Sequence, residues 1–156
     1  MPQSLARICL HTIFSTKDRR RVFRTDEMRN TTAAYVTGIL KNMDCPVMRI
    51  KTVVDHLHVL HLHSRKHTVA DVIAAMKRES NAWIKEQPWA RGNVDFAQFH
   101  WQKGYGVFSV SESKVPVVIK YIEGQQEHHK RVTFQDEYRQ FMKRHGIAID
   151  ERYVWE

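Results

Sequence analysis

Two hydrophobic periods take turns along the chain. Leu5 to Thr16 (LARICLHTIFST) is dense in apolar and β-branched residues and reads as a strand. Lys17-Asp18-Arg19-Arg20-Arg21 follows as a charged turn. From Thr25 the pattern changes: Met28, Tyr35, Val36, Ile39, Leu40 and Met43 recur at three- and four-residue steps, the stripe of an amphipathic helix. Thr25 is placed to cap that helix and Asp44-Cys45-Pro46 to stop it. Val47 to Val54 and His56 to His63 then predict two strands joined tightly around Asp55. Thr68-Val69-Ala70-Asp71 resembles a capping box, with Asp in place of Glu, opening a helix to about Lys85. Glu86 to Gly92 reads as loop, and Phe99 to Val110 holds a further strand. Ser113 is placed to cap a helix over Lys114 to Lys130, with Pro116 in its first turn. A last helix runs from Thr133 to His145 and ends at Gly146.

Without its tail, this order is strand-helix-strand-strand-helix-strand. That is the split βαβ arrangement, so an α+β, ferredoxin-like fold is expected, with an antiparallel sheet, helices on one face and extra C-terminal helices. Such a sheet leaves its second face for a ligand or partner. The 156 residues suit one domain, 1–156, and carry no repeat, low-complexity run or interdomain linker.

Composition narrows the class further. No stretch approaches the roughly 18–20 apolar residues that a membrane span needs, and the N-terminus lacks the basic and apolar regions of a signal peptide. A cytoplasmic protein is therefore expected, without a membrane partner. Cys9 and Cys45 cannot make a disulfide framework, and neither has a neighbour at metal-ligand spacing, so both read as buried, reduced thiols. A net charge of +8 with ten neutral histidines favours polyanions, nucleic acid first among them.

The candidate chemistry begins at His56 and His58. Side chains alternate along a strand, so these two project from one face and can grip one divalent metal. His61 and His63 fall on the other face and, with His67, read as solvated or close to DNA. Tyr121 and Gln125 lie four apart on the third helix and share a helical face. A phenol can attack phosphorus once activated, and a carboxamide oxygen can join two imidazoles around a hard cation. Gln126 and His129 are alternative donors. No acidic cluster accompanies the histidines, and no proton acceptor for the phenol is evident. Lys17, Arg19, Arg20, Arg21 and Arg24 form a basic cluster suited to phosphates; Arg65, Lys66, Lys77 and Arg78 suggest a second. Trp83, Trp89 and Trp101 fit core packing better than base stacking.

Several segments together carry a resemblance. Asp55-His56-Leu57-His58-Val59-Leu60 is similar to the His-hydrophobe-His motif of single-tyrosine HUH transposases, the enzymes of IS200-like insertion sequences. Tyr121-Ile122-Glu123-Gly124-Gln125 resembles their Tyr-x-x-x-Gln helix. His11 to Arg20 and Trp101 to Val110 match in the same order. The resemblance implies a ferredoxin-like core that dimerises through its sheet and binds single-stranded DNA with hairpin ends. It implies that His56, His58 and Gln125 hold Mg²⁺ or Mn²⁺, and that Tyr121 becomes joined to a DNA 5′-phosphate. It also implies active sites shared between the subunits of a homodimer. Gly124 departs from the pattern, since relatives often carry Asn there, and a helical Gly costs up to about 1 kcal/mol. Two other readings fit the charge and the element order. A non-catalytic RRM-like module would need aromatic RNP segments, which the strands lack; a domesticated descendant would bind hairpin DNA without the chemistry.

Overall fold

A computed structural model describes residues 2–156. Four strands, β1 (Cys9–Ser15), β2 (Val47–Thr52), β3 (His56–Leu62) and β4 (Gly106–Ser109), form one antiparallel sheet in the order β2-β3-β1-β4. Helix α1 (Asp26–Asn42) connects β1 to β2, and α2 (Val69–Glu86) connects β3 to β4. This is the ferredoxin-like α+β arrangement expected from the order of elements. The predicted caps form: Thr25 Oγ1 accepts from the Met28 amide at 3.2 Å, and Thr68 Oγ1 from the Asp71 amide at 3.0 Å.

The first strand is shorter than its hydrophobic run. Leu5 is 81% exposed, and pairing with β3 begins only at Cys9 opposite Leu62. Apolar character upstream of Cys9 has no strand to face.

Alternation along β3 sorts its side chains between two cores. Leu57 and Val59 pack with Phe14, Val36, Leu40 and Met76 beneath α1 and α2. Tyr35 stacks on Trp83 at that core's margin, and Trp83, Trp89 and Trp101 all pack against it. The opposite face is not left open. Three further helices, α3 (Val115–Glu123), α4 (Gln125–His128) and α5 (Phe134–Arg144), follow β4. Val115 and Ile122 of α3 pack on Cys9 and Leu60, while Phe134, Tyr138 and Met142 of α5 pack on Ile13 and Phe108. The chain's own C-terminal helices thus cover the face that the four-stranded pattern alone would leave free.

The helix expected over Lys114 to Lys130 is divided. Lys114, not Ser113, is its N-cap residue, with no side-chain cap bond, and Gly124 separates α3 from α4. At φ −84° and ψ 7° its backbone leaves the helical basin without entering the left-handed region. A Cβ there would meet only the Lys120 and Tyr121 carbonyl oxygens, at 3.5 and 3.7 Å. Gly124→Ala is therefore expected to close the break and stabilise the protein by up to about 1 kcal/mol. Thermal unfolding checks this; an unchanged or lowered melting temperature would mean that the break is imposed by packing.

Candidate active site

Antiparallel register sets the site. His56 and His58 start β3 on the face covered by α3 and α5, and Ser15 and Ile13 of β1 pair with them. Both imidazoles are fully buried. His11, one β1 step from Ile13, reaches across so that its Nε2 lies 2.9 Å from His58 Nδ1.

Glu137 of α5 enters this histidine cluster. Its Oε1 accepts from His58 Nε2 at 2.9 Å and its Oε2 from His129 Nε2 at 3.1 Å. The Tyr121 hydroxyl donates to the same Oε2. His128 Nε2 also comes within 3.1 Å of that oxygen, but without hydrogen-bonding geometry. A buried carboxylate is costly. Burial pushes the Glu137 pKa upward, but the hydrogen bonds from His129 and His58 and the surrounding imidazoles outweigh it and hold the carboxyl ionised, far below its ordinary value. The effects reverse at its partners. Burial, reinforced by the Glu137 charge and hydrogen bond, raises the Tyr121 pKa well above 10. Burial lowers His58 to about 4, against the pull of Glu137. The phenol is thus kept protonated and His58 neutral.

Because an ionised carboxylate only accepts, the protons can be followed. His58 donates through Nε2, so its Nδ1 accepts from His11 Nε2. Asp55 Oδ1 accepts from His56 Nδ1 at 2.7 Å, so in the neutral ring His56 Nε2 carries the lone pair. That nitrogen is buried without a hydrogen-bond partner, 3.7 Å from Glu137 Oε1. A carboxylate fixing the far side of an imidazole is the usual outer support of a metal-ligating histidine. Gln125 is fully buried too; its Nε2 donates to the Tyr121 carbonyl at 3.3 Å, and its Oε1 has no partner. Donor atoms of His56, His58, His129 and Glu137 all lie within 4.8 Å of one another. Two orphaned acceptors beside a neutral imidazole and a carboxylate suit a divalent cation.

Tyr121, His56, His58 and Gln125 therefore meet in one place. The Tyr121 and His58 rings are 5.8 Å apart, centroid to centroid. The basic residues divide. Arg19, Arg21 and Arg24 line a cavity of about 660 Å³ that reaches His129, whereas Lys17 and Arg20 line a separate one of about 200 Å³. Arg24 also lies 3.3 Å from Asp95. Of the second basic group, Lys77 is withdrawn from any phosphate surface: its Nζ is tied to the carbonyl oxygens of Gln102, Lys103 and Gly104. His61 is 1% exposed rather than solvated.

Sequence reasoning missed Glu137, and His11 was seen only as part of a motif. One signal for Glu137 was present: it shares the apolar stripe of α5 with Phe134, Tyr138 and Met142, and a carboxylate on a buried stripe demands partners.

Residues 4–125 match the family model described as "Transposase IS200 like". The chain belongs to the IS200-like transposase family. No curated protein matches this transposase. Among solved structures it resembles a proposed transposase of Deinococcus radiodurans R1, with 22% identity and a TM-score of 0.63, over 80% of this chain and 95% of that one. It also resembles a REP-associated tyrosine transposase bound to a REP hairpin, with 10% identity and a TM-score of 0.59, over 85% of this chain and 74% of that one. At such identities these two likenesses speak to the fold. The family match ends at Gln125, so His129 and Glu137 are features of this transposase that lie beyond the matched segment. No helix among the described residues is long and apolar enough to cross a membrane.

Proposed function

We propose that this transposase cleaves and rejoins single-stranded DNA at hairpin-marked element ends, with Tyr121 as nucleophile and a 5′-phosphotyrosine intermediate. The observation that carries this reading is the shared carboxylate: the Tyr121 hydroxyl and the His58 ring both donate to Glu137, making the phenol and the paired histidines a single site. The structural relative bound to a REP hairpin supports the choice of DNA. Arg19, Arg21 and Arg24 supply phosphate contacts beside His129, and Lys17 and Arg20 extend the basic surface.

The phenol oxygen of Tyr121 attacks the scissile phosphorus while its proton passes to Glu137. The bond from phosphorus to the 3′-oxygen breaks, releasing a 3′-OH once that oxygen is protonated, and the 5′-phosphate stays esterified to Tyr121. A 3′-OH from another strand then attacks the phosphotyrosine, restoring the phenol and a phosphodiester. His56 Nε2 and Gln125 Oε1, which have no hydrogen-bond partner, would hold Mg²⁺ or Mn²⁺ together with His58, whose Nε2 becomes a ligand in the tautomer that donates from Nδ1 to His11, with Glu137 and His129 beside them. When bound, that ion supplies positive charge against the phosphate oxygens. Asp55 and His11 orient the two imidazoles. A homodimer with exchanged α3 helices would make the same contacts between subunits; light scattering of the protein with hairpin DNA tests it, and a monomer throughout would remove sharing from the proposal.

The reaction is tested by incubating the protein with single-stranded DNA from the flanks of its gene, with Mn²⁺ or EDTA, on a denaturing gel. A protein–DNA adduct is expected with Mn²⁺, and its loss with EDTA or in His56→Ala. An adduct indifferent to EDTA would overturn the metal assignment. Hairpin binding without any adduct would overturn the reaction.

A further inference from the structure

On the other face of the sheet, three side chains that serve no part of this reaction converge. Cys45 sits in the turn between α1 and β2, His61 near the end of β3, and His63 just beyond it. The Cys45 sulfur and one ring nitrogen from each histidine lie within 4.8 Å of one another. The backbone holds them there: Val47 pairs with His61, and the Leu62 amide donates to the Pro46 carbonyl at 3.0 Å.

Each imidazole already uses its Nε2. His63 Nε2 donates to the His67 carbonyl at 2.9 Å, so in the neutral ring its Nδ1 carries the lone pair. His61 Nε2 lies 3.3 Å from Thr12 Oγ1. Both Nδ1 atoms are buried without a partner, although His61 and Cys45 are almost wholly enclosed. Unpaired buried nitrogens are costly, and a carbonyl behind an imidazole is the outer support typical of a ligating histidine. The Ser64 amide donates to Cys45 Sγ at 3.3 Å, and the Cys45 thiol lies 3.5 Å from the Met43 carbonyl oxygen.

We propose that Cys45, His61 and His63 form a second metal site, which takes Zn²⁺ through one thiolate and two imidazoles. Water completes a tetrahedron. Binding releases the thiol proton to solvent and changes no oxidation state. Thiolate and imidazole ligands select zinc over magnesium, so the two sites of this chain sort cations by ligand softness. The bound ion joins the α1–β2 turn to the end of β3, and so braces the hairpin whose other end presents His56 and His58. Because the folded chain assembles the ligands, binding stabilises it.

Cobalt is the probe. Metal-stripped full-length protein titrated with Co²⁺ is expected to develop a thiolate-to-cobalt charge-transfer band in the near ultraviolet, saturating at one equivalent and displaced by Zn²⁺. The band should persist in His56→Ala and Cys9→Ser and vanish in Cys45→Ser. The Tyr121 site contains no sulfur, so cobalt bound there gives no such band, and the result is independent of the proposed reaction. No band in the folded wild type, or a band surviving in Cys45→Ser, overturns the assignment. If Cys45→Ser fails to fold, His63→Gln at a half-buried position decides: loss of the band with an intact circular dichroism spectrum supports the site, and its survival overturns it.

Discussion

Tyr121→Phe is expected to leave hairpin DNA bound and to abolish the proposed covalent protein–DNA adduct. The substitution removes one oxygen and little else. The ring keeps its edge-on neighbours His58 and Phe141, with centroids 5.8 and 5.7 Å away. Glu137 keeps its bonds from His58 and His129, so no buried charge is orphaned and the fold should persist. No other tyrosine can substitute. Tyr35 is stacked on Trp83 beneath the opposite face, and Tyr138, pushed up to about 12 by burial, packs against Phe134 and Trp155. Tyr105 and Tyr153 are exposed and line a cavity to which no histidine contributes. The adduct should fall below detection on a denaturing gel, with DNA affinity by fluorescence anisotropy within about twofold of wild type, since the hydroxyl removed is bonded to Glu137 within the protein and surface contacts to phosphate are untouched. An adduct at wild-type level would exclude Tyr121 as the nucleophile.

The second large effect is expected at Glu137. A buried phenol whose pKa lies above its ordinary value cannot supply tyrosinate at neutral pH, so its proton needs an acceptor in place. Glu137→Gln keeps the shape of the side chain but removes that capacity, and should slow adduct formation in a single turnover by about 10²-fold, the low end for a positioned base, because a carboxyl held below its ordinary range is a weak one. DNA affinity should hold. The pH profile separates proton transfer from mere support: in Glu137→Gln the rate should climb with pH as hydroxide replaces the missing base, while a packing defect would lower it uniformly. A rate within threefold of wild type would show that another group takes the proton.

Glu137 lies beyond the reach of local sequence rules. His56 and His58 were legible because their common face follows from the two-residue period of one strand, and Tyr121 and Gln125 from a four-residue helical step. Both are local rules. Glu137 meets His58 across 79 positions, and no period spans that distance; it depends on how α5 settles on the sheet. The Cys45, His61 and His63 cluster was hidden for the same reason, since it needs the pairing of Val47 with His61. The helices and strands were read closely from pattern and caps, but Gly124 split a run that periodicity alone treats as continuous. The covered second face of the sheet was also beyond reach, because an amphipathic tail does not announce where it will dock.

Lys77 carries a consequence of its own. Its ammonium is held by three successive carbonyl oxygens, those of Gln102, Lys103 and Gly104, at 2.8, 3.0 and 2.8 Å. The loop before β4 is therefore wrapped around a cation, as a polypeptide loop wraps around a bound potassium or calcium ion, except that this cation is leashed to α2. It cannot be exchanged, diluted or chelated. The same loop supplies Gln102, whose side-chain oxygen accepts at 2.6 Å from the amide of Ser15, the strand residue that pairs with His56. A tethered internal cation thus gives the approach to the proposed reaction centre an order that does not vary with the surrounding salt, while the two proposed sites for free metal lie elsewhere in the fold.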